Sequence, residues 1–180
     1  EGRRARGESE LLATRGERLA LIRLTLVFED GDVGPSEIDS LLVLEVDASG
    51  RIAAYVRFDP DDLDAACAEL AARFDAGEGL ERPSAAAWCS EFRRAFASRA
   101  WDAMIALQAP DQEAHDHRLV GWGTLRGTGA WTPTLQELVT LAPDVRQRVQ
   151  DLRLCERGSL WRHEWHGTRD GGAFVSPLLL

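Results

Sequence analysis

"SELLATRGERLALIRLTLVFEDGDVGPSEIDSLLVLEVDASGRIAAYVRFD", residues 9–59, is the stretch that decides the fold. Strand-like runs rich in β-branched and large apolar residues cover Glu8 to Thr14, Arg18 to Glu29, Ser36 to Val46 and Arg51 to Phe58. Between them stand Arg15-Gly16, Asp30-Gly31 with Gly34-Pro35, and Ser49-Gly50. These residues tolerate or pre-set the backbone angles of tight turns. Four runs joined by short turns read as an antiparallel meander.

Downstream, "DPDDLDAACAELAARFDAGEG" reads as a helix with Asp59 at the N-cap and Pro60 at its first position. Leu63, Ala66, Cys67, Leu70 and Phe74 recur at helical spacing as one apolar stripe, and Gly77 and Gly79 end it. Capping and the macrodipole account for Asp61, Asp62 and Asp64 without a metal. "GLERPSAA" marks a boundary, with Ser84 as a new N-cap. Trp88, Phe92, Ala95 and Phe96 then form a core stripe. Further helices are predicted from Trp101 to Leu107 and from Thr132 to Leu141. A strand is predicted from Gln112 to Leu119, and Gly121, Gly123, Gly127 and Gly129 read as a loop. Strands follow over Val145 to Cys155, Leu160 to Thr168 and Ala173 to Leu180.

The 180 residues carry a formal charge of −9, with arginine supplying all 21 positive charges. That balance argues against a nucleic-acid surface, which needs clustered positive charge. No apolar run approaches the roughly 20 residues that span a bilayer. The three cysteines, Cys67, Cys89 and Cys155, are too scattered for a disulfide framework or a zinc site and read as reduced thiols. The expectation is a cytoplasmic, membrane-free protein without cofactor or metal. The first residue is not Met and no leader is visible, so a fragment of a longer chain is expected.

Setting Gly16 over Gly158 aligns "LLATRGERLALIRLTLVFEDGD" with "RLCERGSLWRHEWHGTRDGG". Both read strand, Arg-Gly turn, alternating strand, Asp-Gly turn. This is an internal repeat of which the first copy is partial. Helix, helix, strand, helix and then a meander, over residues 84–180, resembles the NTF2-like, or SnoaL-like, superfamily. "RGERLAL", "DGDVGPSEI", "VDASGRI" and "FDPDDLDAA" resemble the tandem units at the C-terminal ends of long bacterial regulatory proteins that carry ATPase or cyclase modules. The resemblance implies an α+β cone, a curved antiparallel sheet wrapped around helices. It would have a first unit over residues 1–79 and a second over residues 80–180, truncated in its last strands.

The same resemblance leaves function open, because one fold hosts many chemistries. The first expectation is a non-catalytic module that binds a small apolar ligand or mediates self-association within a larger regulator, as a homodimer or pseudo-dimer through sheet packing. The alternative is a SnoaL-like enzyme of isomerase, cyclase, hydrolase or dehydratase type acting on a small apolar substrate.

Candidate site residues come from "EAHDHRLVGWGTLRG", residues 113–127. The resemblance makes Asp116 and His117 the candidate general acid and base. A structural reading has Asp116 pairing with Arg118 or Arg126 and pinning the strand to the glycine loop. His115 and His117 at alternate positions could share a metal, but their spacing does not demand one. On the later strand Trp161, His163 and Trp165 share one face. With Trp101, His115, Trp122 and Trp131 they are the expected lining of an apolar pocket; filling the core is the competing role for the tryptophans.

Overall fold

The computed structural model describes residues 4–30, 33–119, 121–156 and 158–179. The Gly31 half of the Asp30-Gly31 turn, the Arg157 of the second Arg-Gly pair, and Leu180 lie outside the described residues. Two compact units form. The first gathers the chain up to Pro83 with Val149–Arg162; the second gathers Ser84–Arg148 with His163–Leu178.

The meander forms with β1 (Arg4–Arg15), β2 (Leu19–Asp30), β3 (Val33–Val46) and β4 (Ile52–Phe58), each antiparallel to the next; β1 starts four residues before its expected Glu8, and Gly34-Pro35, expected in the turn, lies inside β3. The later strands are β7 (Arg146–Cys155), β8 (Gly158–Arg169) and β9 (Gly172–Leu179), after a short pair β5 (Glu113–Asp116) and β6 (Gly123–Arg126). The large sheet runs β4-β3-β2-β1-β7-β8-β9, open at both ends, and β5-β6 stand apart. The helices among the described residues are α1 (Leu63–Ala76), α2 (Pro83–Ala97), α3 (Trp101–Ala106) and α4 (Thr132–Leu141). The chain is therefore α+β, with an antiparallel-dominated open sheet. No described helix is long and apolar enough to cross a membrane.

In the first unit, directly opposed residues share a face of the sheet. One face carries the rows Ala13-Leu21-Val43-Val56 and Arg23-Leu41-Phe58. α1 packs on this face, chiefly across β2 and β3. Ala66, Leu70 and Phe74 of its stripe are buried with Leu21, Leu41 and Val43. Arg73 ties the helix down, reaching Glu45 on β3 at 2.9 Å and Glu69 at 2.7 Å.

The helix begins later than its sequence suggests. The Asp62 N–H donates to the Asp59 carbonyl at 3.0 Å, so Asp59-Pro60 opens a turn and α1 starts at Leu63. Asp-Pro suits the first two places of a β-turn as well as an N-cap and first helical position. Pro83, not Ser84, opens the next helix.

Parallel pairing of β1 with β7 covers only Thr14↔Asp151 and Arg15↔Leu152. Arg15 reinforces it from inside. This nearly fully buried side chain donates to the carbonyls of Gln150 at 3.0 Å and Val149 at 2.8 Å, and to its neighbour Thr14 at 2.7 Å. A guanidinium that meets several carbonyls offsets part of its own burial cost.

In the second unit the apolar stripe of α2 buries Ala86, Cys89, Phe92, Ala95 and Phe96. Between β8 and β9 the two-residue turn Asp170-Gly171 has φ of 53° and 80°, the left-handed pair that closes tight hairpins.

Candidate functional site

The loaded stretch folds as a small hairpin. The expected strand from Gln112 to Leu119 stops at Asp116, and the supposed glycine loop contributes β6. Asp116 ends the strand because its carboxylate gathers the turn. It accepts from Arg118 Nε at 2.9 Å, Arg118 Nη2 at 2.6 Å, the Arg118 N–H at 3.1 Å and the Trp122 N–H at 3.0 Å. Gly121 makes room, since a Cβ there would lie 2.6 Å from Asp116 Oδ1. The Arg118 side-chain hydrogen bonds, then the Trp122 N–H, hold the Asp116 carboxyl well below the usual carboxylate range. Arg126 pairs with Glu113 instead. A carboxylate so strongly held as an anion has little affinity left for a substrate proton.

His115 and His117 lie exposed, their rings 6.2 Å apart and nearly parallel. His115 bonds Thr124 Oγ1 at 3.1 Å and Glu113 at 3.2 Å. Among the described residues, no group of three His, Cys, Asp or Glu side chains comes together as a metal site. Trp122 is exposed beneath Arg118, whose guanidinium stands 5.4 Å from its ring centre.

The other expected lining residues go elsewhere. Trp131 stacks on Phe92 at 5.3 Å and donates its indole N–H to Gln112 at 3.2 Å. Trp165 meets Phe96 at 4.6 Å, and Trp101 meets the same ring edge-on at 6.2 Å. His163, fully buried, stands edge-on to Trp165 at 5.0 Å. Burial pushes the His163 imidazole down to about 4, so it is neutral at physiological pH. Trp161, in the first unit, is buried and donates to Ser159 Oγ at 2.7 Å. In the second unit, then, Trp101, Trp131, His163 and Trp165 are occupied by packing, while His115, His117 and Trp122 sit on an exposed hairpin.

A cavity of about 270 Å³ lies in the first unit, lined by Gly16, Glu17, Phe74, Glu78, Arg82 and Arg153 among others. Much of its polar wall is already engaged. Glu78 accepts from the Glu17 N–H at 3.1 Å and the Arg18 N–H at 3.2 Å, capping the Gly16 turn.

The meander face opposite α1 keeps several large apolar side chains exposed. Its rows read Thr14-Ala20-Leu44-Tyr55, Leu11-Ile22-Leu42-Arg57, Ser9-Leu24-Ser40 and Gly7-Leu26-Ile38, and Phe28 stands opposite Ser36. Leu42 and Ser40 are buried, but Leu11 is 60% exposed, Tyr55 66% and Ile38 45%. The same strands bear polar groups toward the α1 side at their far ends, where Arg23 bonds Asp39 at 2.6 Å. The signal was in the sequence: Ala20, Ile22, Leu24, Leu26 and Phe28 are apolar at every second position. The histidine stretch, not this alternation, carries the sequence-based expectation of a site.

Compared with known protein families, with characterised proteins and with solved structures, the chain matches none.

Proposed function

We propose that this chain is a non-catalytic, NTF2-like module that works by self-association. One observation carries the reading: a meander whose second face is mainly apolar, with serines among its rows and Arg57 at its β4 margin, and keeps Leu11, Ile38 and Tyr55 exposed. Four strands about 4.8 Å apart and roughly 35 Å long present on the order of 650 Å². That approaches the roughly 800 Å² each partner contributes to a stable interface. A second copy of the same face offers matching chemistry, which is what a two-fold contact requires. The order of elements after residue 83 supports the NTF2-like part: two helices, a short hairpin, a helix and three strands. The acid–base alternative has less behind it, because Asp116 is committed to its own turn.

Sedimentation across a wide protein concentration range tests this. Wild type is expected to associate. Leu11→Glu combined with Ile38→Glu, both at exposed positions, is expected to break the face contact and lower the mass without loss of secondary structure. Glu8→Gln, whose row lies on the other face, is expected to change nothing. A wild type that stays monomeric, or a double variant of unchanged mass, would sink the reading.

A further inference from the structure

We propose that β4 is a second contact between copies: two Ile52–Phe58 strands pair antiparallel about a two-fold axis at Tyr55, extending the sheet from one copy into the next. The inference rests on the self-association reading and adds an edge to its face.

β4 stands first in the strand order, bonded to β3 on one side only. Native sheets usually blunt such an edge with proline, charge, a covering element or a bulge. Other open edges here follow that rule. β9, at the far end of the order, carries Pro177, and the outer edge of β1 carries Arg6, Glu8 and Glu10. β4 reads "IAAYVRF", without proline and with Arg57 as its one charge. Its irregularity is confined to the start, between the Val46↔Ile52 and Glu45↔Ala54 pairs; Ala54 to Phe58 pair regularly with β3. α1 packs chiefly across β2 and β3 and touches β4 least of the four strands. Ile52 and Tyr55 are 68% and 66% exposed.

The sequence of this edge is complementary to itself with the axis at Tyr55. In a symmetric antiparallel pair, opposed residues must face the edge in the same backbone phase, so the axis falls on a residue. An axis at Tyr55 sets Ala54 against Val56, Ala53 against Arg57 and Ile52 against Phe58. It also sets Arg51 against Asp59 at both ends, an opposite-charge pair of exposed side chains. An axis at Ala54 would oppose Arg51 to Arg57, and one at Arg57 would oppose it to itself. An axis at Val56 would bring Pro60, which has no N–H, against Ile52. Like charges directly opposed across a pair are unfavourable, and opposite charges favourable. Arg51 now meets Asp47 at 3.2 Å with its side chain largely in solvent, so it is free to turn.

Two distinct two-fold contacts on one chain carry assembly beyond a dimer. Wild type is therefore expected to sediment above the dimer mass. Arg51→Asp, which sets acid against acid, is expected to return it to the dimer, and Arg51→Asp with Asp59→Arg to restore the larger species. With Cys67 and Cys155 changed to Ser, oxidation of Tyr55→Cys is expected to give a covalent dimer in high yield. Opposed positions lie within about 5.5 Å, inside disulfide reach. Arg57→Cys, opposite Ala53, is the control and is expected to give little. Circular dichroism of each variant confirms that it is folded. If Arg51→Asp leaves the mass unchanged, or Tyr55→Cys cross-links no better than Arg57→Cys, the edge contact is wrong. The face contact then still stands if Leu11→Glu with Ile38→Glu dissociates the protein. A monomeric wild type removes both.

Discussion

Glu78 closes over Gly16: a Cβ on that glycine would stand 2.7 Å from Glu78 Cδ. The glycine has φ of 59°, which only a residue without a side chain adopts cheaply. The carboxylate is there to accept the N–H groups of Glu17 and Arg18 as the chain turns from β1 into β2. Gly16→Ala must strain the backbone and evict that acceptor, at a cost of about 2–3 kcal/mol. Urea denaturation should show it. Glu78→Ala should cost about 1–2 kcal/mol, and the double variant less than the sum, because both changes break the same contact. Strict additivity would argue against the coupling.

Arg15 should prove the most sensitive charged position in the first unit. Replacing it with Ala leaves the buried carbonyls of Val149 and Gln150 without this donor. A loss of about 3 kcal/mol or more is expected. Arg15→Lys should recover only part of it, since one ammonium cannot reproduce the fork of a guanidinium. Amide exchange along Val149–Leu152 should rise in both variants. Unchanged exchange there would mean that the short β1–β7 pairing holds by itself.

The Asp116 turn predicts a local effect, not a global one. Asp116→Asn removes the anion that Arg118 and Trp122 address, and Gly121→Ala pushes a Cβ into the same carboxylate. Either should free residues 117–122, raising amide exchange at Trp122 while the melting temperature moves little. The folded-state carboxyl is depressed, so its contribution is complete above the ordinary carboxylate range and is lost only as pH falls through the lower folded value. The Trp122 amide shift should therefore stay flat from neutral pH down to about pH 4. A transition near neutrality would point to a different role for Asp116.

His163 sets a second pH dependence of opposite origin. Its folded value is lowered to about 4 by burial, while the unfolded chain takes up a proton near the ordinary value of 6.5. Above that ordinary value both states are neutral and the group contributes nothing to the pH slope. Between the two values only the unfolded chain gains the proton, so stability falls as pH falls, by about 3 kcal/mol in all. The depressed carboxyls of Asp39, Asp47 and Asp144 add their losses at lower pH still. His163→Phe should flatten the limb between pH 6.5 and 4 in urea titrations. Persistence of the full slope would assign it elsewhere.

The meander was legible because its turns and runs alternate over short distances. Leu19 to Asp30 hardly differs from its sequence reading and Thr132–Leu141 does not differ at all, while β3 takes in the Gly34-Pro35 expected in the turn. Local rules reached less far where one motif serves two geometries. Asp59-Pro60 fits a helix start and a turn equally, and the turn prevailed. The histidine stretch carried the right pairing, Asp116 with Arg118, among several the sequence allowed.

What the sequence determined by itself is most of the elements: where long strands alternate, where helices repeat their apolar stripes, and where glycine and proline break them. Those depend on neighbours within a few residues. Tertiary structure alone decided that Arg15 is buried against the carbonyls of Val149 and Gln150, that Glu78 caps a turn some sixty positions away, and that Trp101 and Trp165 meet over Phe96. It also decided which side of each strand meets α1 and which faces away from it. The physical reason is that alternation gives every strand two faces without naming either; only the register between strands, and the helix laid on one side, breaks that symmetry.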